Sequence, residues 1–116
     1  MKPFLSVFLL FTLIISSPTL AVNPGKGAEI FKANCAVCHS SGRNVIVAYK
    51  TLKKEALAKY LKGFNQNAEA AVVAQITHGK NAMPSFKGYL NPAEIETVAA
   101  YVVEQTEKNW SKVAQK

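Results

Sequence analysis

Cys35-Ala36-Val37-Cys38-His39 is the stretch that decides how the rest of this chain is arranged. A Cys-x-x-Cys-His run reads as a covalent attachment site for a c-type haem. On one helical turn the two thiols can each add to one vinyl group of a single porphyrin, and the adjacent histidine then lies under the iron. One short segment supplies two covalent bonds and one axial ligand. Three plainer readings compete. A disulfide between Cys35 and Cys38 closes too small a loop to constrain the unfolded chain much, and it leaves His39 unexplained. Zinc would need a second ligand pair at the right spacing, yet the only other histidine is the lone His78. A thioredoxin-like dithiol needs a neighbouring strand-helix-strand pattern, which is missing here.

The 116 residues allow one domain, and part of that length reads as a leader. Met1 to Ala21 has a single positive charge at Lys2, an apolar run from Phe4 to Ile15, a helix-breaking Pro18 and small residues at Thr19 and Ala21. This resembles a secretory signal peptide cleaved after Ala21, leaving a domain over 22–116. The apolar run is shorter than the roughly 20 residues a membrane span requires, so no stable membrane insertion is expected. The remaining chain is small for a core of side chains alone, and a buried porphyrin would supply apolar volume.

The formal charge is +7. Loss of Lys2 and two ionised haem propionates would still leave a basic protein. Without a basic-aromatic motif, an exported chain of this kind is a poor candidate for nucleic acid. The charge fits a partner of opposite sign, acting on encounter rate and orientation.

Periodicity is helical nearly throughout, so the expected class is all-α, with about four helices wrapped around one cofactor. The first helix is expected over about Gly25 to Val37, with Ile30, Phe31 and Asn34-Cys35 recurring at helical spacing. Ser40 to Lys50 reads as a loop over the haem edge. From Thr51, Leu52, Ala56, Leu57, Tyr60 and Leu61 make an apolar face, with Lys53, Lys54, Lys59 and Lys62 in water. A Glu55–Lys59 pair on this helix would add only about 0.2–0.5 kcal/mol. A third helix runs from Ala68 to about Thr77, with Val72, Val73 and Ile76 inward and Gly79 as a left-handed stop. Lys80 to Tyr89 reads as an irregular loop. The last helix has the clearest start: Asn91 as cap, Pro92 at the first position, Glu94 at the third, and Leu90 able to pack on Ile95. Its stripe is Ile95, Val98, Ala99, Val102 and Val103, flanked by Tyr101, with Trp110 near the end.

A haem iron holding one histidine needs a sixth partner or an open position, and that choice separates a carrier from an enzyme or gas sensor. Once a leader is removed, Met83 is the only methionine left. It lies in a loop, Asn81-Ala82-Met83-Pro84, far enough beyond His39 for the chain to pass round the porphyrin. A lone methionine is often core filler, but a loop position followed by proline favours a ligand. His78 is the rival. A thioether favours ferrous iron and raises the reduction potential relative to a second imidazole.

Five blocks carry a resemblance: Gly27-Ala28-Glu29-Ile30-Phe31, Asn44-Val45-Ile46, Lys50-Thr51-Leu52-Lys53-Lys54, His78-Gly79-Lys80-Asn81-Ala82-Met83-Pro84-Ser85-Phe86 and Val98-Ala99-Ala100-Tyr101-Val102. Together they make the chain resemble the cytochrome c6 family, soluble lumenal carriers of cyanobacteria and algae. The resemblance implies a class I cytochrome c fold with the first and last helices crossing, Gly27 letting Tyr101 approach and Phe31 packing nearby. It further implies one haem c held by thioethers at Cys35 and Cys38, with His39 and Met83 on the iron. Gln75 would be a haem-adjacent amide that keeps the potential high, and Asn44 and Lys50 would lie near the propionates.

By the same resemblance the donor is the cytochrome b6f complex and the acceptor photosystem I, with cytochrome oxidase as a second acceptor. The setting would be the thylakoid lumen and the carrier a diffusible monomer steered by lysines such as Lys53 and Lys54. Where many members carry Gly-Arg-Leu after the Met loop, this chain has Gly88-Tyr89-Leu90. If that arginine orients docking, this chain is expected either to dock on photosystem I less efficiently or to compensate through Lys80 and Lys87. Two alternatives stand beside this reading: a periplasmic cytochrome c donating to an oxidase, and a haem enzyme or gas sensor whose sixth position opens when Met83 moves.

Overall fold

Close approach of two helices organises the computed structural model, which describes residues 24–111; the expected leader lies outside the described residues. Helix α1 (Pro24–Asn34) and the last helix, α5 (Pro92–Glu107), meet at Gly27. A Cβ there would fall 2.7 Å from Tyr101 Cβ and 2.9 Å from the Thr97 carbonyl oxygen, so only glycine lets the backbones come this near. Phe31, one turn on, stacks at 5.4 Å on the Tyr101 ring. The crossing and the Gly27–Tyr101–Phe31 contact are those the resemblance implied.

Between them lie α2 (Ala36–His39), a 3₁₀ turn over Ser40–Gly42, α3 (Lys54–Tyr60) and α4 (Ala68–His78). Among the described residues there is no strand beyond the isolated bridges Lys80–Met83 and Lys87–Leu90. The all-α expectation holds, with α2 as an extra one-turn helix.

Two boundaries differ from the sequence reading. The first helix stops at Asn34 rather than Val37: Cys35, at φ −118° and ψ −32°, stays in the right-handed region and still donates to the Phe31 carbonyl at 2.8 Å, and the chain continues as α2. The third helix begins at Lys54 rather than Thr51, since Thr51 Oγ1 accepts from the Lys53 amide and Leu52 N–H is spent on Gly42. The Glu55–Lys59 pair does not form; the Lys59 ammonium sits 5.2 Å over the Tyr60 ring instead.

α5 starts as its sequence demands. Asn91 Oδ1 accepts from the Glu94 amide at 2.8 Å, and the Glu94 carboxylate accepts from the Asn91 amide at 3.1 Å. This reciprocal pair satisfies two donors the helix cannot. Leu90 and Ile95 are both buried in the main core with Ile30, Val72, Ile76, Val98 and Ala99. Tyr101, expected at the flank, is buried, as are Gln105 and Thr106. At the other pole, Leu57, Phe64 and Ala71 form a smaller cluster that fixes α3 on the start of α4.

Candidate functional site

α2 delivers the motif to the wall of a cleft whose apolar lining comes from Leu52, Leu57, Val72, Ile76, Phe86 and Val102. Cys35, Cys38, His39, Asn44, Lys50, Gln75 and Met83 all line this one cleft. Seven positions spread over half the sequence therefore converge on one apolar space. Tyr60 joins them, stacked at 5.5 Å on the exposed Tyr49.

His39 has a defined tautomer. Its Nδ1 lies 2.8 Å from the Arg43 carbonyl oxygen. A carbonyl can only accept, so Nδ1–H is the donor, and in the neutral ring Nε2 is then the nitrogen with the lone pair, the arrangement a metal-ligating histidine requires. The loop acceptor is placed by short-range bonding: Val45 N–H returns to the Cys38 carbonyl at 3.1 Å.

Cys35 and Cys38 form no disulfide with each other. Burial pushes the Cys35 thiol up to about 11, so it is an uncharged S–H at neutral pH. Among the described residues no group of three or more His, Cys, Asp or Glu could hold a metal ion, which removes the basis for a zinc site there.

Met83 lines the same cleft from a turn tied tightly to α4. Lys80 and Met83 exchange both backbone hydrogen bonds at 3.0 Å, and Asn81 takes the left-handed φ of 54° this turn needs. The segment expected to be irregular is thus a closed turn. Gly79 explains how it docks. Its φ of 65° with ψ of 177° is open essentially to glycine alone, and a Cβ would fall 2.6 Å from Met83 O, Pro84 C and Ser85 N. The expected left-handed stop is a positive-φ stop with extended ψ. Ser85 Oγ donates to the Thr77 carbonyl at 2.6 Å and Phe86 N–H to that of Ile76 at 3.0 Å, so the Met loop hangs on the end of α4.

Gln75 lies one turn back on the same helix. Its Nε2 donates to Met83 Sδ at 3.4 Å. His78 faces elsewhere: it is exposed and lines a separate shallow groove with Glu69, Thr77 and Glu96. Asn44 works on its own loop, donating to the Lys50 carbonyl at 2.9 Å and accepting from the amides of Ile46 and Val47. Phe86 and Tyr60 were not singled out as site residues from sequence. An aromatic three residues past Met83 in a polar loop is the signal that could have found Phe86.

The residues fit a porphyrin. Two cysteines, an imidazole whose Nδ1 is engaged by a backbone carbonyl, and a thioether all line the same apolar space. Among the described residues no helix is long and apolar enough to cross a membrane.

Comparison with known proteins agrees with this geometry. The family model described as cytochrome c oxidase, cbb3-type, subunit III matches residues 22–102. Cytochrome c6 of Limnospira maxima is 67% identical over 84 residues, covering 72% of this chain and 94% of that protein. Cytochrome c6 of Nostoc sp. (strain PCC 7120 / SAG 25.82 / UTEX 2576) is 49% identical over 114 residues, covering 95% and 99%. The solved structure of cytochrome c6 from the diatom Phaeodactylum tricornutum superposes with a TM-score of 0.73 at 51% identity, covering 76% of this chain and 99% of that one. Identity at this level over nearly the full length of those relatives, on a matching fold, means that the chain belongs to the cytochrome c6 family.

Proposed function

We propose that this chain is a one-electron carrier, not an enzyme, that takes electrons from the cytochrome b6f complex and reduces photosystem I in the thylakoid lumen. The observation that carries the reading is the convergence of Cys35, Cys38, His39, Met83 and Gln75 on one apolar cleft. In this reading Cys35 and Cys38 would hold haem c through thioethers. His39 Nε2 and Met83 Sδ would hold its iron, and Asn44 and Lys50, which line the same cleft, would lie near the propionates. Haem iron bound here supplies a one-electron ferric–ferrous couple.

The protein's contribution is positional. The Arg43 carbonyl accepts from Nδ1–H and orients the imidazole, while the closed Lys80–Met83 turn places the Met83 backbone and the Gln75 amide meets its sulfur. Were both His39 and Met83 to hold the iron, no position would be left for substrate, as a carrier requires. The apolar side chains around the cleft exclude water and reduce rearrangement between oxidation states. Val37 and Ile46, on the cleft rim, are 84% and 63% exposed and offer an apolar contact suited to a short-lived complex.

Gln75 gives the first test. Its N–H withdraws density from the sulfur, making the thioether a poorer donor to ferric iron and so favouring the ferrous state. Gln75→Val is expected to lower the reduction potential. A hydrogen bond worth about 1 kcal/mol in one oxidation state alone corresponds to roughly 40 mV for one electron. An unchanged potential in a redox titration would remove Gln75 from the tuning role.

The partner is tested by kinetics. Lys54 is bound to Glu107 at 3.1 Å, whereas Lys80 lines the cleft itself. Lys80→Glu is therefore expected to slow reduction of photosystem I severalfold at low ionic strength, more than Lys54→Glu does, with the gap closing at high salt. Equal rates for both variants at every ionic strength would end the steering assignment. Failure of the parent protein to reduce photosystem I would end the proposed partnership.

A further inference from the structure

The C-terminal end of the described chain reaches across the molecule to the loop that holds His39. After α5 the backbone turns through Asn109 and Trp110 at φ 52° and 51°, two successive non-glycine residues in the left-handed region. Such residues persist only where surrounding contacts outweigh their strain. Here the contacts belong to Trp110. Its indole is 8% exposed and stacks at 5.3 Å on Phe31. Its Nε1–H donates to the Leu52 carbonyl at 2.9 Å, an oxygen that also accepts from Thr106 Oγ1 at 2.9 Å.

The same ring covers Gly42. A Cβ at Gly42 would fall 2.5 Å from the indole, so the backbone lies directly against the ring, at φ +74°. Leu52 N–H donates to the Gly42 carbonyl at 2.8 Å. Both ends of the 42–52 loop are thus clamped beneath one side chain. The next residue, Arg43, is the one whose carbonyl takes the His39 Nδ1 proton at 2.8 Å. Local bonds hold Arg43 less closely: its amide and its Nε both reach Ser40 O at 3.2 Å.

We propose that Trp110 is a positioning residue for His39, pressing Gly42 and tying Leu52 so that the Arg43 carbonyl stays on the imidazole Nδ1–H. This rests on His39 being the axial ligand, because only then does that bond set the orientation and basicity of a metal ligand. Trp110 touches neither the cleft nor His39; it acts through the loop.

The test is proton exchange in the haem-loaded protein by NMR, reading the His39 Nδ1–H, the Leu52 amide and, as controls, the amides of Val72 and Ile76 on α4. Trp110→Phe removes the indole N–H and part of the ring. The His39 Nδ1–H and the Leu52 amide are expected to exchange about tenfold faster, as loss of one buried hydrogen bond allows, while the α4 controls stay unchanged. Thr106→Val leaves the ring on Gly42 and is expected to spare the His39 proton. Should Trp110→Phe not fold, benzothienylalanine at position 110, which swaps the indole N–H for sulfur at nearly equal volume, serves instead.

An unchanged His39 exchange rate, or equal acceleration at every site, overturns the proposal. A parent protein in which the His39 resonances show no shift from the iron overturns the axial assignment itself, a different result from a parent that shows the shift and a variant that does not respond.

Discussion

Met83→Ala is expected to lower the reduction potential by roughly 0.1 V or more, within the ~0.8 V range over which axial ligands move haem potentials, and to abolish the methionine-to-iron absorption band. The reduced variant should also bind carbon monoxide without denaturant. The physical ground is the closed Lys80–Met83 turn: removing the thioether leaves the backbone turn, Gly79 and the Ser85–Thr77 bond in place, so the loop keeps its path and only the sulfur is lost. His78 cannot substitute, since it lines a groove away from the cleft. A visible spectrum and redox titration of the variant decide the matter. Retention of the band at the parent potential would show that another group holds the sixth position.

The second large effect is expected on attachment. The double variant Cys35→Ser, Cys38→Ser should release its haem into acidified organic solvent, whereas the parent keeps it. Each single variant should retain one link and a shifted pyridine haemochrome band. Losing a covalent cross-link between cofactor and chain also returns conformational freedom to the unfolded state, and by analogy with disulfides the expected destabilisation is about 2–4 kcal/mol. The hydroxyls would fit the space the thiols occupy, so a lower denaturation midpoint would come from the lost bonds and not from repacking. Extraction of haem from the parent under the same conditions would refute covalent attachment.

Much of this arrangement was legible in the chain. The Cys-x-x-Cys-His run, the Met-Pro loop and the Asn91–Glu94 capping box are local signals whose chemistry depends on residues a few positions apart. Local rules therefore sufficed to place α4 and α5 and to nominate His39 and Met83. The α5 stripe was equally readable, since Ile95, Val98, Ala99 and Val102 recur at helical spacing and are all buried.

Less readable were features that depend on what a residue meets. The boundary at Cys35 has no proline or glycine to announce it, and its backbone stays in the right-handed region. Lys59 could have paired with Glu55 on helical spacing, yet a ring from its own neighbour, Tyr60, was closer. Gln105 and Thr106 are polar and sit past the obvious stripe, so their burial is set by the loop and core packed over them.

What the sequence by itself determined is the chemistry: two thiols, an imidazole and a thioether on mostly helical chain. The tertiary structure alone decided which groups share a space. It sent His78 outward, brought Gln75 against the Met83 sulfur, and laid Trp110 over Gly42, because distance in the folded chain is set by the α1–α5 crossing at Gly27 and by the docking of the Met loop on α4. Neither can be computed from spacing along the chain.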